Sequence, residues 1–331
     1  DMPLVLIDDE ADWGTPNTGS DTDPTRVNAA IRGLLDTSRR SSYLGITATP
    51  FANIFIDHAA ENEELGQDLF PADYIRVMSS PSNYQGIGNY FTGEHGAIRV
   101  EVEDCIEILP IRHKKTHPVE ELPESLERAV MTFYLGTAIR LLRTQGEVSP
   151  ASMLVNVSRF NDVQAKISEL IQLFALSLNG LVVAALAREE TRPPSSFATR
   201  LLEVWNDEFD DLPEDESWDE VVPWLQQVAK TIRVELVNSV TGAERAKRRR
   251  SMTAEQRATE DSRPTIFVGG DVLARGLTLS GLQVSYFVRE PRTMDTLMQM
   301  GRWFGYRPGY TDLVRIWMPE STEADFMWSA E

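Results

Sequence analysis

The feature that most constrains this chain is the alternation of short β-forming runs with segments of helical periodicity. Near the carboxyl end, Ile266-Phe267-Val268 runs directly into Gly269-Gly270, and a short helical segment begins near Asp271. A second apolar run follows at residues 284–288, and a helix is predicted from about Thr293. β-Formers that end in a glycine turn before a helix indicate a buried strand of an α/β fold. Because strands alternate with helices, the sheet is expected to be parallel.

Similar runs recur along the 331 residues, a length that suits two lobes of about 100–200 residues each. We predict a first lobe over residues 1–120 and a second over residues 121–331, with a departure from the core pattern at about 187–262. Strands are predicted at residues 4–7, 43–46, 74–78, 152–158, 232–237, 284–288 and 313–317. Helices are predicted to begin near residues 23, 123 and 161, where apolar side chains recur on one face. The predicted fold class is α/β with parallel sheets.

Charge and cysteine content limit the classes of function. The formal net charge of −19 argues against a generic nucleic-acid binder, whose usual footprint is a basic face, although it does not exclude a local basic groove. The single cysteine, Cys105, cannot form an internal disulfide and fits a reducing cytoplasm. No uninterrupted run of about 18 apolar residues occurs, so no membrane association is expected.

Three polar segments follow the predicted strands at the ends where α/β folds bind ligands, and a fourth lies on the helix predicted from about Thr293. They are Asp-Asp-Glu-Ala-Asp at residues 8–12, Thr-Ala-Thr-Pro at 47–50, Gly-Asp-Val-Leu-Ala-Arg-Gly-Leu at 270–277 and Gln-Met-Gly-Arg-Trp-Phe-Gly-Tyr-Arg at 299–307. In this order they resemble motifs II, III, V and VI of superfamily-two helicases. The amino-acid sequences of the second and fourth segments are similar to those of the Z-one (Z1) domain family. Members of this family are helicase-associated regions of prokaryotic endonucleases implicated in defence against foreign DNA.

The resemblance implies two RecA-like lobes of the P-loop NTPase type, with ATP and Mg²⁺ as cofactors. It assigns Asp9 to the Mg²⁺, held through water, and Glu10 to the orientation and deprotonation of the attacking water. Asp12 then links to the neighbouring motifs, and Thr47 and Thr49 couple these carboxylates to the other lobe. The residues alone also fit a plainer interpretation, in which a solvated acidic loop and a threonine-rich turn follow two strands.

In the second lobe, the resemblance makes Arg302 and Arg307 the candidates for an arginine finger that reaches the γ-phosphate, with Gln299 in the same segment. The two arginines are five residues apart here, whereas three is usual. The alternative is that they solvate the end of a helix. Asp271 is expected to hydrogen-bond one of these arginines.

Further residues of this lobe are expected near nucleotide or nucleic acid. Arg275 and Gly276 would place a guanidinium and a closely approaching backbone there, and Thr278 stands where many relatives carry a second aspartate. Ser158 and Arg159 occupy the place of motif IV and are the candidates for contact with nucleic acid, although Arg159 also fits a role in capping the following helix.

The predicted departure at about 187–262 is unusual in charge. Residues 201–229 contain ten acidic residues and no basic one, whereas residues 245–250 contain five basic residues. We expect amphipathic helices here rather than disorder. The acidic part is predicted to face away from DNA or to contact a protein partner. The basic cluster fits either a phosphate contact or a solvated helix.

Two further features leave alternatives open. The aromatic residues of the loop at 79–96 either stack on bases or pin the loop to the body of the protein. His113 and His117 have a spacing that suits a metal on a helix, but Pro118 follows at once, so a basic surface loop is favoured over a metal site.

No Gly-x-x-x-x-Gly-Lys-Ser/Thr phosphate loop occurs in the 331 residues, and a complete strand begins at Leu4. We therefore expect the first lobe to be truncated at its N-terminus. The expected parent is an ATP-dependent, superfamily-two helicase-like motor or translocase on double-stranded DNA, in a prokaryotic DNA-processing or phage-defence endonuclease system. The segment alone is expected to be inactive as an ATP hydrolase. The alternative is a catalytically inactive helicase-like scaffold that binds DNA or protein partners.

Overall fold

The computed structural model describes residues 2–20, 22–59, 61–62, 64–92, 99–110, 112–187, 196–274, 277–289 and 294–330. The chain forms two compact units, Asp1–Ser79 and Ser80–Glu331. The division falls well before the predicted boundary at residue 120, because a strand at residues 99–101 pairs into the sheet of the second unit.

The strands are short and number twelve in the described part of the chain. Their bounds are β1 Leu4–Asp9, β2 Ser41–Ile46, β3 Glu61–Asn62, β4 Gly66–Gln67, β5 Tyr84–Gln85, β6 Arg99–Glu101, β7 Ser152–Asn156, β8 Arg233–Val237, β9 Thr265–Gly269, β10 Leu282–Phe287, β11 Gly305–Tyr306 and β12 Arg315–Met318. The strands predicted at 4–7, 43–46, 152–158, 232–237, 284–288 and 313–317 are therefore present, with ends that shift by a few residues.

The helices range from one turn to 27 residues. Their bounds are α1 Arg26–Asp36, α2 Phe51–Ile54, α3 Cys105–Ile108, α4 Glu124–Arg143, α5 Asn161–Ala187, α6 Ser196–Phe209, α7 Trp218–Thr231, α8 Thr241–Ser251, α9 Ala254–Asp261, α10 Asp271–Ala274, α11 Met294–Met300 and α12 Glu320–Ala330. The helices predicted near residues 23, 123 and 161 correspond to α1, α4 and α5.

The first unit contains a two-stranded parallel sheet of β1 and β2, with α1 packed against it. Side chains of β1 alternate between half-buried and exposed, and Val5 and Ile7 are 65% and 62% exposed. One face of β1 is therefore covered and the other is open. The predicted strand at residues 74–78 is absent from the structure, and its side chains lie in solvent without a paired strand.

The second unit is built on a six-stranded sheet in the order β6-β12-β10-β7-β9-β8. Every pairing in it is parallel. Strands β7, β9 and β10 are buried along their whole length, as expected for a parallel sheet with both faces covered. The α/β class and the parallel sheet are therefore confirmed, and the centre of this sheet carries the main hydrophobic core.

The described part of the segment predicted to depart from the core, residues 196–262, is an integral layer of the second unit. Helix α7 packs against α4 and α5, and β8 is the edge strand beside β9. Its acidic residues also pair internally: Asp207 with Arg128, Glu208 with Arg315, and Glu216 with Arg143. These carboxylates therefore have cationic partners within the same unit.

Helix α5 is the one described helix whose length and composition would allow it to cross a membrane, over Asn161–Val183. A third of that window is buried, including Ile167, Ile171 and Leu178, which pack into the core of the second unit. The core helix of a globular protein can have the same length and apolar composition. The apolar character of α5 is therefore explained by its packing on the sheet.

Candidate functional site

The acidic segment after β1 begins with Asp8, whose carboxylate is held by two hydroxyl groups. Thr15 Oγ1 donates a hydrogen bond to Asp8 Oδ2 at 2.6 Å, and the Tyr43 hydroxyl donates to the same oxygen at 2.7 Å. Burial and the neighbouring carboxylate raise the pKa of Tyr43, so that its hydroxyl remains a donor. Asp8 therefore has a local structural role that anchors the end of β1 to β2.

Asp9 and Glu10, the predicted Mg²⁺ and water-activating residues, are exposed at the carboxyl end of β1. Glu10 adopts a positive φ of 59°, and its backbone N–H donates to Asp9 Oδ1 at 3.1 Å. A non-glycine residue in the left-handed region costs on the order of 1 kcal/mol, so the sharp turn after β1 is maintained against local strain. The turn leaves both carboxylates accessible to water and to a hydrated cation.

Asp12 lies at the centre of a hydrogen-bond network with Thr47 and Thr49. Thr47 Oγ1 donates to Asp12 Oδ1 at 2.8 Å, and Thr49 Oγ1 donates to Asp12 Oδ2 at 2.9 Å. The Thr49 backbone N–H also donates to Thr47 Oγ1 at 2.9 Å. The structure thus joins the two polar segments that follow β1 and β2, because parallel neighbouring strands end at the same edge of the sheet.

In the second unit, Ser158 follows β7 and is buried rather than presented to solvent. Its hydroxyl lies 2.7 Å from His113 Nε2 and accepts a hydrogen bond from the Phe160 backbone N–H at 3.0 Å. His113 Nδ1 lies 2.8 Å from the Pro110 carbonyl oxygen. Burial lowers the pKa of His113. Ser158, the predicted nucleic-acid contact, is thus buried and bonded to a half-buried histidine of the predicted basic surface loop.

Arg159 is exposed, and its guanidinium lies 4.8 Å from the centre of the Phe160 ring. The structure therefore makes Arg159 available at the carboxyl end of β7, whereas Ser158 positions the backbone beside it. His117 Nε2 lies 2.9 Å from the Ile108 carbonyl oxygen. No group of three or more potential metal ligands from histidine, cysteine, aspartate and glutamate occurs in the described part of the chain.

The turn after β9 is packed against the segment after β7. A Cβ added at Gly269 would lie 2.1 Å from the Val237 carbonyl oxygen, and one at Gly270 would lie 2.5 Å from Gln164 Nε2 and 3.0 Å from the Ser158 carbonyl oxygen. These two glycines are therefore required by close approach of the backbone. Gln164, at the start of α5, reinforces the contact by donating to the Ser158 carbonyl oxygen at 2.8 Å.

Asp271, at the start of α10, pairs with Arg289 just beyond β10 rather than with Arg302 or Arg307. Arg289 was missed by sequence reasoning, although its place after a buried strand puts it on the same edge as Asp271. Arg275 and Gly276 lie outside the described residues. The ion pair joins the segments that follow β9 and β10.

Arg302 is half-buried in the turn that follows α11, and its guanidinium donates to the Leu277 carbonyl oxygen. Gln299 lies on α11 and is also half-buried. The Arg302 contact connects the segment after α11 with the segment after α10. Together with the Asp271–Arg289 pair and the close approach of Gly270 to the Ser158 carbonyl oxygen, it connects Ser158, Asp271 and Arg302 at the edge of the sheet where β7, β9 and β10 end.

Arg307 is almost completely buried and directs its guanidinium to backbone carbonyl groups. Nη2 donates to the Trp303 carbonyl oxygen at 2.9 Å and to that of Arg302 at 3.2 Å, and Nη1 donates to that of Tyr306 at 2.8 Å. The turn at residues 302–306 is therefore folded around this side chain. Of the two finger candidates, Arg302 is the one with a partly accessible guanidinium.

The described part of the loop predicted at 79–96, residues 80–92, is held to the second unit by its aromatic residues. Tyr90 and Phe91 are buried, Phe91 stacks on Phe326 with ring centres 4.9 Å apart, and Tyr84 contacts Tyr306 edge to face. Strand β5 of this loop also pairs with β11. The structure therefore favours the pinning role for Tyr90 and Phe91, whose faces are covered.

The comparisons with known proteins bear on the second unit. The sequence model of the Z1 domain matches residues 125–330, which include β7 to β12 and the edge that carries Ser158, Asp271 and Arg302. No curated protein and no solved structure gives a significant match to the chain. Because the matched region covers more than half of the sequence, the chain belongs to the Z1 domain family.

Proposed function

We propose that this chain is part of an ATP-dependent, superfamily-two helicase-like motor that translocates on double-stranded DNA, with each unit corresponding to a RecA-like lobe. The observation that carries the proposal is the Asp12–Thr47–Thr49 network, in which both hydroxyl groups bind the two oxygens of one carboxylate. A solvated acidic loop beside a threonine-rich turn would not require this bidentate pairing. The network gives the nucleotide-bearing end of β1 a rigid connection to the segment after β2.

In the proposed motor, Glu10 orients the attacking water and Asp9 holds the hydrated Mg²⁺. Both carboxylates are exposed at the end of β1, as a group that must reach a bound nucleotide has to be. ATP would supply the transferred phosphoryl group. No Gly-x-x-x-x-Gly-Lys-Ser/Thr phosphate loop occurs among these 331 residues, so that part of the site would be supplied from elsewhere.

Arg302 is the proposed arginine finger, because its guanidinium is partly accessible and Arg307 is committed to backbone carbonyl groups. Arg159, exposed at the carboxyl end of β7, is the proposed contact to the nucleic-acid backbone. Since the chain is strongly acidic overall, DNA affinity would depend on a few local cationic groups and would fall steeply with salt.

The test is ATP turnover by the full-length protein, measured with and without double-stranded DNA. We expect DNA-stimulated turnover, at least about 100-fold loss in Glu10→Gln, and a loss of about 1,000-fold or more in Arg302→Lys, which keeps the charge but not the fork of donors. Glu64→Gln, in the turn between β3 and β4, and Arg250→Ala, at the exposed end of α8, are the matched controls and should retain activity.

Two outcomes would count against the motor. If no variant or wild-type protein hydrolyses ATP but DNA remains bound, the chain acts as a helicase-like scaffold instead, with DNA or protein as its partner. If the 331-residue chain alone turns over ATP and Glu10→Gln has no effect, hydrolysis uses other residues and the assignment of the acidic segment is wrong.

A further inference from the structure

The second unit contains a cleft of about 550 Å³ that none of the residues assigned above explains. It lies beside β8 and β9, under α8 and α9, and is closed on one side by the segment at residues 277–280. Cavities that bind small molecules typically measure about 300–1,000 Å³. The cleft is therefore large enough for a ligand of nucleotide size.

The charged lining of the cleft is biased toward cations. Arg233, Arg245, Arg249 and Arg263 line it, against two carboxylates. Both carboxylates are already paired: Glu260 with Arg233 at 3.0 Å and with Arg248 at 2.5 Å, and Asp261 with Arg249 at 2.5 Å. The hydrogen bond from Arg249 lowers the pKa of Asp261, so the pair stays ionised at neutral pH. Guanidinium donors remain after this pairing.

Two of the arginines have guanidinium N–H groups that take no part in the hydrogen bonds described above. Arg245 bonds Glu235 through Nε at 2.7 Å, which leaves its two Nη groups outside that hydrogen bond, and its guanidinium lies over the Phe267 ring. Arg263 is exposed at the rim, and its guanidinium forms neither a hydrogen bond nor an ion pair within the described residues. Such planar forks match the geometry of phosphate oxygens.

The rest of the lining provides apolar and hydroxyl groups. Phe267, Val272 and Leu277 offer an apolar surface, and Thr278 offers a hydroxyl group at the exposed end of the 277–280 segment. A cleft with an apolar floor and convergent arginines fits a molecule that combines a ring with a phosphate group. Duplex DNA instead presents charge along an extended backbone and needs an extended basic surface.

We propose that this cleft binds a small phosphate-bearing molecule of nucleotide size, held by Arg245 and Arg263, independently of the proposed motor site. A bound phosphate would give the remaining donors of Arg245 and the Arg263 guanidinium an anionic acceptor. Because Leu277 both lines the cleft and accepts the hydrogen bond from Arg302, a bound ligand would contact the segment that holds the finger candidate.

The experiment is calorimetric titration of the full chain with inorganic pyrophosphate and with ADP, at low and at high salt. We expect both to bind, with weaker binding at high salt, and Arg263→Ala to weaken each by about tenfold through loss of a charge-assisted hydrogen bond. Ala246→Phe, which fills the cleft from α8, should remove ADP binding. Arg250→Ala, on the same helix but outside the lining, should bind like the wild type.

Folding and site assignment are checked in the same series. Thermal unfolding of each variant should match the wild type, because Arg263 and Ala246 are exposed. Glu10→Gln should bind both probes normally, because Glu10 does not line the cleft. The proposal is wrong if neither probe binds, or if Arg250→Ala weakens binding as much as Arg263→Ala. It is also wrong if Arg263→Ala weakens the binding of a short DNA duplex but of neither probe.

Discussion

At the scale of single residues, Arg302 and Arg307 come from one sequence segment but have different environments. The Arg307 guanidinium donates hydrogen bonds to carbonyl oxygens of the 302–306 turn, in the place of water. The Arg302 guanidinium instead donates to the Leu277 carbonyl oxygen. A buried guanidinium that holds several carbonyl groups stabilises the fold, and its loss leaves those acceptors without donors. A half-buried arginine can change partner when a ligand arrives.

Arg307→Ala is therefore expected to lower the free energy of unfolding by about 3 kcal/mol, because it removes the hydrogen bonds and leaves a cavity in the turn. Equilibrium unfolding in urea would measure the change. Arg250→Ala, which removes an exposed arginine, is the control and should change stability by less than about 0.5 kcal/mol. An equally small effect of Arg307→Ala would show that the turn does not depend on this side chain.

His113 predicts a specific pH dependence of stability. Burial lowers its pKa from the ordinary value of 6.5, so below pH 6.5 the unfolded state binds a proton that the folded state does not. The contribution of His113 to stability therefore decreases as pH falls through 6.5 and levels off below the folded-state pKa.

Replacement of His113 by Gln removes this titration while keeping a polar group near Ser158. Urea unfolding at several pH values between 5 and 8 should show a smaller loss of stability at low pH in the variant than in the wild type. Parallel curves for the two proteins would mean that His113 is protonated equally in both states.

At the scale of elements, α5 has two different faces. Ile171 is completely buried against the core, whereas Leu173 and Leu176 on the other side are 55% and 66% exposed. Its length and apolar composition would allow it to cross a membrane, but its buried face packs on the sheet of the second unit. The contribution of each leucine or isoleucine to the stability of the fold therefore depends on the helix face on which it lies and not on its hydropathy.

Ile171→Ala is expected to destabilise the protein by about 2–5 kcal/mol, because it removes buried methyl groups and leaves a cavity. Leu176→Ala, a comparable truncation one turn away, should cost less than about 0.5 kcal/mol. Thermal or urea unfolding of both variants checks the difference. Equal costs would indicate that the exposed face of α5 is covered in solution.

At the scale of the whole molecule, the two units differ in the size of their cores. Among the described residues, the fully buried apolar side chains of the first unit are Ala11 and Leu69, whereas the main core cluster belongs to the second unit. Since burial of apolar surface is the dominant favourable term in folding, stability should be concentrated in the second unit.

Residues 80–331 expressed alone are therefore expected to unfold cooperatively, and residues 1–79 alone are expected to lack stable tertiary structure. Near-ultraviolet circular dichroism and urea titration of the two segments would measure this. A cooperative transition in the isolated first segment would contradict the inference from burial.

Much of the site could be predicted because three of the four polar segments directly follow an apolar strand. Asp12, Thr47 and Thr49 lie together for this reason, since β1 and β2 are parallel and end at the same edge. The pairing of Asp271 with Arg289 was not predictable in the same way, because 18 residues separate them and several arginines were available. Of the cleft arginines, Arg245 and Arg249 belonged to the basic cluster at 245–250, and nothing in the sequence connected Arg233 and Arg263 with them.

The α/β class, the position of most strands and the polar residues at their carboxyl ends follow from the order of the amino acids, because periodicity and turn chemistry act over a few neighbouring residues. The burial of Arg307, the unit that β6 joins and the partners of the acidic residues of α6 and its neighbours emerge only in the folded chain. These outcomes depend on contacts between residues far apart in the chain. Burial and pairing energies come from such contacts, and no local pattern contains them.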